Sequence, residues 1–337
     1  MIEKMKMNRW LVYLGVFGLL SLVACGDDDD VDDFVGNWVE RSDFEGFRRS
    51  SAVTFTIGDF AYVGTGFNGE EDEYYQDFWR YSVAQNFWQQ MAPFPGVARS
   101  AAVAFSLNGI GYVGTGYDGD NELRDFYKYD PGTNSWDEIA DFAGSARRNA
   151  IAFTVGGKGY VGTGDDGNTL KDFYEYDPQT DTWSQIPSIG GSKRENAVVF
   201  VLGDFAYVGT GSDNGRAETD FWRFDPSLLP DFPWIELTDL DEEDDYEIER
   251  ENAVAFTANG LGYIATGTRG SETTSIWEYD PDNDTWLEKT PLEGPSRRDA
   301  IAFTLSERPF IATGRIGSSY FDDIWEFEPF EEEDEDD

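Results

Sequence analysis

Six times along the chain, small apolar residues lead into a glycine-punctuated aromatic run. An alternating aromatic and polar stretch follows, and in most copies a tryptophan closes the unit. The string Tyr-Val-Gly-Thr-Gly occupies 62–66, 112–116, 160–164 and 207–211. It returns as Tyr-Ile-Ala-Thr-Gly at 263–267 and as Phe-Ile-Ala-Thr-Gly at 310–314. Seven residues ahead of each leading aromatic stands Phe55, Phe105, Phe153, Phe200, Phe256 or Phe303, with spacings of 50, 48, 47, 56 and 47. Alternation with period two marks strands, and a repeat near 50 residues built from strands is a radial β-unit rather than a helical solenoid.

Each copy predicts four strands. The first is rich in alanine, as in Asn252-Ala253-Val254-Ala255-Phe256-Thr257, which suits the narrow end of a wedge near an axis. The second is the glycine-threonine-glycine run, entered through turns such as Asn108-Gly109 or Gly156-Gly157. The third carries an aromatic pair, as in Phe126-Tyr127-Lys128-Tyr129. An Asp-Pro turn then leads to the fourth, which begins near Trp88, Trp136, Trp183, Trp234 or Trp286.

The sixth copy stops at Glu328-Pro329 without a fourth strand, while Asn37-Trp38-Val39-Glu40 at the front has no copy of its own. Trp38 precedes Phe55 by 17 residues, the interval that separates Trp88 from Phe105 and Trp136 from Phe153. The expected architecture is all-β: a six-bladed propeller over 37–329, with the N-terminal strand completing the last blade. Closure of this kind removes an exposed strand edge.

These repeats resemble kelch motifs, above all the glycine-rich kelch repeats of Bacteroidetes lipoproteins and the wider galactose-oxidase-like superfamily. One departure is the usual paired glycine after the second-strand aromatic, which is Gly-Thr-Gly or Ala-Thr-Gly here. Galactose oxidase itself needs histidine ligands and a Cys–Tyr crosslink, and this chain has no histidine and one cysteine. No metal or other cofactor is therefore expected, and histidine-based catalytic triads are excluded.

The ends of the chain read differently. Lys4, Lys6 and Arg9 precede an apolar run from Trp10 to Leu22, and Leu22-Val23-Ala24 leads into Cys25 and then Gly26 and Asp27 to Asp30. The run is short for a membrane span and reads as a signal-peptide core. The residues before Cys25 resemble a bacterial lipobox, implying cleavage after residue 24 and acylation of Cys25. Residues 25–36 then form an acidic tether reaching at most ~40 Å, and 330–337 an acidic tail. By analogy with Bacteroidetes lipoproteins, the acidic run after Cys25 implies an outer-membrane lipoprotein at the cell surface, the periplasmic side being the alternative. The formal charge of −42, with 67 acidic against 25 basic residues, argues against nucleic acid as a partner and for a soluble, monomeric domain.

Strand alternation puts the loops between second and third strands on the same face as the connections that enter each blade. Chain entry and exit lie on the opposite face, so this top face is expected to point away from the membrane. An arginine precedes each first-strand phenylalanine by six residues: Arg49, Arg99, Arg147, Arg194, Arg250 and Arg297. The kelch resemblance implies an arginine in the loop entering each blade. Two readings stand side by side, an inter-blade arginine bonded to carbonyls and a carboxylate, or a cationic collar that captures anionic ligands. Two residues further on, Ser51, Ala101, Asn149, Asn196, Asn252 and Asp299 are expected to line the channel mouth. Tyr74, Tyr117 and Tyr320 add aromatic faces suited to a sugar or peptide.

Three Gly-x-Gly-x-x-Gly matches, at 64–69, 114–119 and 162–167, lead into another strand rather than the helix a dinucleotide site needs. Asp280, Asp282 and Asp284 lie in the recurrent turn and lack the rest of a calcium loop. The acidic stretch Asp239–Asp245 reads first as a solvated loop and second as a cation or partner contact. The function expected is a binding module for a protein or glycan at the top face, without a catalytic set. The alternatives are a carbohydrate-active enzyme resembling the kelch sialic-acid mutarotases, working through Glu195, Glu251 or Asp299, and a structural envelope component.

Overall fold

The computed structural model describes residues 35–241 and 246–332. The signal segment, Cys25, most of the tether, residues 242–245 of the acidic loop and the tail from 333 lie outside them.

Six four-stranded antiparallel sheets form a six-bladed propeller. In blade one the strands are Val53–Ile57, Phe60–Gly64, Phe78–Ser82 and Phe87–Gln90, and the same order recurs in the other blades. The last blade is closed as the repeat spacing implies. Val35–Glu40 pairs with Ile324–Glu332, placing Trp38 opposite Phe327 and Val39 opposite Glu326. That partner strand runs three residues past the expected end. Pro329 falls where the register shifts between Val35 and Asn37, a bulge at which a missing N–H costs nothing.

The apolar pattern explains the packing between blades. Each first-strand phenylalanine stacks on the second-strand aromatic of its own blade, as Phe55 does on Tyr62 with ring centroids 5.2 Å apart. The same phenylalanine fills the space left by a small residue in the next blade. A Cβ on Gly111 would lie 2.1 Å from the Phe55 ring, so only glycine permits that approach. Four of the six repeat tryptophans bond across blades through the indole N–H, as Trp136 does to the Ala92 carbonyl at 3.0 Å and Trp183 to Ala140 at 3.1 Å. Trp38 does the same to Thr290 at 3.1 Å, so the N-terminal strand performs the sixth blade's part of the contact.

On the bottom face the Asp-Pro turns join neighbours. Asn134, at a left-handed φ of 49°, accepts the Tyr129 hydroxyl at 2.7 Å and the Ala92 amide of the previous blade at 2.9 Å. Asp181 and Asp284 repeat the arrangement. Asp280 accepts the Asp282 amide at 2.9 Å, which is turn chemistry. In blade four the lengthened turn holds a short 3-10 helix, Pro226–Leu228, and the acidic exit loop is pinned by the buried Leu240 and Ile248.

The alternate positions of the first strands face the axis. Ala52, Ala102, Ala150, Ala197, Ala253 and Ala300 form its uppermost layer, above a channel segment of about 200 Å³.

Candidate functional site: the axial mouth of the top face

All six repeat arginines are fully buried. Each sends Nη1 to the carbonyl of the threonine in its Gly-Thr-Gly or Ala-Thr-Gly run, from Thr65 at 2.7 Å to Thr210 at 3.2 Å. Five of them also grip an aspartate that immediately precedes a third strand. Arg49 takes Asp77 through two bonds of 2.6 Å, Arg99 takes Asp125 at 2.6 and 2.7 Å, and Arg147 takes Asp172 at 2.7 and 2.9 Å. Arg297 holds Asp323 at 2.7 and 2.5 Å, and Arg194 pairs with Asp220. Planar bidentate geometry of this kind is what arginine supplies and lysine cannot. Blade five has Ser275 at the aspartate position, and among the described residues Arg250 bonds only to the carbonyls of Glu247, Ile248, Thr266 and Ser275. Burial pushes the Arg250 guanidinium down to about 10.

The arginines therefore do not line an open collar. Their guanidiniums stitch the entry loop to the second and third strands, the inter-blade role that the sequence left open beside the ligand-binding one. The threonines they hold adopt φ between 57° and 60°. A β-branched residue in that region stores strain of about 1–3 kcal/mol, and the arginine bond to its carbonyl helps hold it there. This arrangement accommodates the departure from the paired-glycine pattern.

Two closed rings of backbone hydrogen bonds run round the axis at this level. In the outer one the glycine after each threonine donates to the arginine carbonyl of the next blade, from Gly66 to Arg99 at 2.7 Å round to Gly314 to Arg49 at 2.9 Å. In the inner one Ser51, Ala101, Asn149, Asn196, Asn252 and Asp299 each donate to the preceding member, and Ser51 closes the circle onto Asp299 at 2.8 Å. All six inner residues sit at φ of 52° to 57°, where Asn and Asp are enriched and Ala pays a penalty. Their side chains rim a cavity of about 150 Å³ over the alanine layer. The residues expected at the mouth are thus brought together there, Asn149, Asn196 and Asn252 on three consecutive blades.

A second tier surrounds the rim. The residue after each arginine bridges the start of the second-to-third-strand loop: Ser50 with Phe67, Ser100 with Tyr117, Arg148 with Asp165, Glu195 with Ser212, Glu251 with Thr268 and Arg298 with Arg315. The tier is lopsided. Over blades six, one and two an aromatic arc runs from Tyr320 through Phe67 and Tyr74 to Tyr117, with centroid distances of 6.5, 4.5 and 6.3 Å. Tyr320 is buried beneath the arc, whereas Tyr74 and Tyr117 are half-buried at its surface. Blades three to six carry charge instead. Asp299 accepts from Arg315 Nε at 2.9 Å, yet burial raises its carboxyl above the usual range, with the Arg315 and Arg298 charges opposing and Glu251 adding to the rise.

Sequence reasoning passed over Arg148, Arg298 and Arg315 and the five aspartates. The aspartates had a signal, an acidic residue just ahead of the third-strand aromatic in most copies. The arginines had none, because their positions in the other blades hold serine, glutamate, aromatic or small polar residues.

Geometry and repeat together define a six-bladed β-propeller whose blades are joined by buried arginine loops. Residues 43–208 match the KLHDC2/KLHL20/DRC7 Kelch-repeats domain, and the structure is a kelch-repeat β-propeller. Among solved structures with this fold, the bacterial kelch protein YjhT is 19% identical, with a TM-score of 0.71 over 83% of this chain and 95% of that one. That likeness concerns the fold. Among curated proteins none matches in sequence.

Proposed function

We propose that the chain is a lipid-anchored extracytoplasmic binding module that presents its axial mouth to a protein or glycan. One observation carries the reading: a shallow cavity of about 150 Å³ rimmed by three asparagines, next to a half-exposed aromatic arc. Convergent amide donors and acceptors beside aromatic faces suit hydroxyl- and amide-bearing ligands. Lipid attachment at Cys25 and outer-membrane surface location follow from the lipobox-like segment.

The test is a pull-down from the native cell envelope using protein tethered through its N-terminus. An Asn149→Ser/Asn196→Ser/Tyr74→Ala variant runs beside it, serine being the residue that the same ring already accepts at Ser51. A stoichiometric protein or glycan held by the wild type and lost by the variant is expected. A partner held equally by both would move the binding surface elsewhere.

The raised Asp299 carboxyl favours a second reading, a carbohydrate-active enzyme, since acid–base work needs a carboxyl shifted toward neutrality. Anomerisation of sialic acid followed by NMR decides it: acceleration abolished by Asp299→Asn would support the enzyme, and the uncatalysed rate with wild type would end that reading.

A further inference from the structure

The charges round the mouth do not balance. Each arginine there already meets a carboxylate: Arg148 lies 3.9 Å from Glu122 and 3.7 Å from Asp165, Arg298 lies 3.5 Å from Glu272, and Arg315 lies 2.9 Å from Asp299. The repeat arginines beneath are buried and bonded to aspartates and backbone carbonyls. Lys193 and Arg216, which form no ion pair among the described residues, are exposed and do not line the mouth cavity, so none of the arginines named above is left over to hold an anionic ligand.

Two half-buried carboxylates stand on the other side of the account. Glu195 accepts from Asn149 Nδ2 at 2.8 Å and Glu251 from Ser212 Oγ at 2.6 Å, both neutral donors. Neither forms an ion pair among the described residues. They are also close neighbours in the fold. Ser212, which Glu251 reaches, is the bridge partner of Glu195, with paired backbone bonds of 3.0 Å in both directions. A desolvated charge bonded only to neutral groups is costly, and an incoming opposite charge relieves that cost.

The aromatic arc fits the same chemistry. Arg148 already lies over the Tyr117 ring at 4.8 Å, so a cation rests on the end of the arc nearest the acidic blades. Cations settle on tyrosine faces because the ring quadrupole attracts them. The formal charge of −42 on the whole chain raises the local concentration of cations further.

We propose that the mouth takes an alkylammonium group of its ligand, such as a lysine side chain of a polypeptide, with the charge against Glu195 and Glu251 and the methylenes toward the aromatic arc. The assignment rests on the reading of the top face as the binding face and names the ligand chemistry that face selects.

Saturation-transfer NMR on the purified protein tests it with three small probes of one scaffold: Nα-acetyl-lysine methylamide, its Nε-acetylated derivative and Nα-acetyl-glutamate methylamide. Butylammonium serves as a fourth, to separate an ammonium site from one that also reads a peptide backbone. The lysine probe is expected to receive saturation in its side-chain methylenes, and the acetylated and glutamate probes none. A Glu195→Gln/Glu251→Gln variant, which retains the neutral hydrogen bonds, is expected to bind the lysine probe about tenfold more weakly. A control, Asp130→Asn/Asp280→Asn on the opposite face, is expected to match wild type. Equal saturation of lysine and glutamate probes by the wild type overturns the proposal without any variant. Lysine binding untouched by the double substitution overturns it as well. A partner captured by the top face and still captured by Glu195→Gln/Glu251→Gln would remove the charge assignment alone. A partner indifferent to the Asn149, Asn196 and Tyr74 substitutions would remove the underlying reading.

Discussion

Arg250 Nη1 lies 3.2 Å from the carbonyl oxygen of Ser275, at the place where the five other repeat arginines meet an aspartate. A guanidinium in that position is charged, fully buried and without a carboxylate partner among the described residues, and burial lowers its pKa to about 10. A base depressed in the folded state binds fewer protons there than in the unfolded chain. Its penalty is present in full below about 10 and fades only as pH climbs toward the unfolded value. Ser275→Asp restores the pair seen in the other blades and is expected to stabilise the domain by about 1.5–3 kcal/mol. The reverse change elsewhere, Asp125→Ala, strands Arg99 and is expected to cost about 3–5 kcal/mol. Chemical denaturation of the two variants checks both signs, and an unstabilised Ser275→Asp would show that the carbonyls already satisfy Arg250.

Ring closure joins the two ends of the described chain across a large sequence separation. Glu326, buried in the last blade, accepts from Arg41 of the N-terminal segment at 2.6 Å and from Arg308 Nη2 at 2.5 Å. Trp38 is buried completely beside Phe327, with ring centroids 4.6 Å apart. Trp38→Ala is expected to cost about 3–5 kcal/mol. Hydrogen exchange would read the loss first in the last blade, at Phe310–Ala312 and Ile324–Phe327. Loss of protection spread evenly over all six blades would contradict a local opening at the seam.

Alkaline pH attacks the inter-blade tyrosines. Burial pushes Tyr75 and Tyr129 up to about 12 and raises Tyr160, Tyr176, Tyr263 and Tyr279 further, helped by nearby carboxylates. An acid raised in the folded state contributes stability that is whole below its unfolded value near 10 and disappears as pH rises through the folded one. Tyrosinate absorbance from this set is expected to appear together with loss of the β-sheet circular dichroism. Graded ionisation with the sheet signal intact would mean that these hydroxyls are open to solvent.

Salt acts on the whole charge distribution. With 67 acidic residues against 25 basic ones, self-repulsion in the folded state is screened as ionic strength rises. The melting temperature is expected to climb between low and near-molar salt. A flat response would show that the ion pairs round the mouth and the seam already balance the repulsion.

Much of this was open to reading from local pattern. Side-chain alternation and the interval between Phe55 and Phe105 count the blades. The 17 residues from Trp38 to Phe55 assign the front strand to the last blade, because a tryptophan begins the fourth strand in the complete copies. The mouth residues follow from their place two beyond each arginine, where Asn and Asp tolerate a left-handed backbone. Ala101 carries no such signal and reaches that φ only because its neighbours in the inner ring impose it.

The chain alone thus determines the six-bladed propeller, its closure and the rim of its mouth, since strand period, turn chemistry and repeat length are properties of neighbouring residues. Only the tertiary structure decides what the charges do. Arg49 meets Asp77 28 residues away, while Arg147 meets Asp172 at 25, because the intervening top loops differ in length. No fixed spacing marks the partner, and a guanidinium is structural or free to bind according to whether a carboxylate is brought to it. The same holds for Glu195 and Glu251 beside the mouth, which form no ion pair among the described residues because adjacent blades bring Asn149 and Ser212 to them.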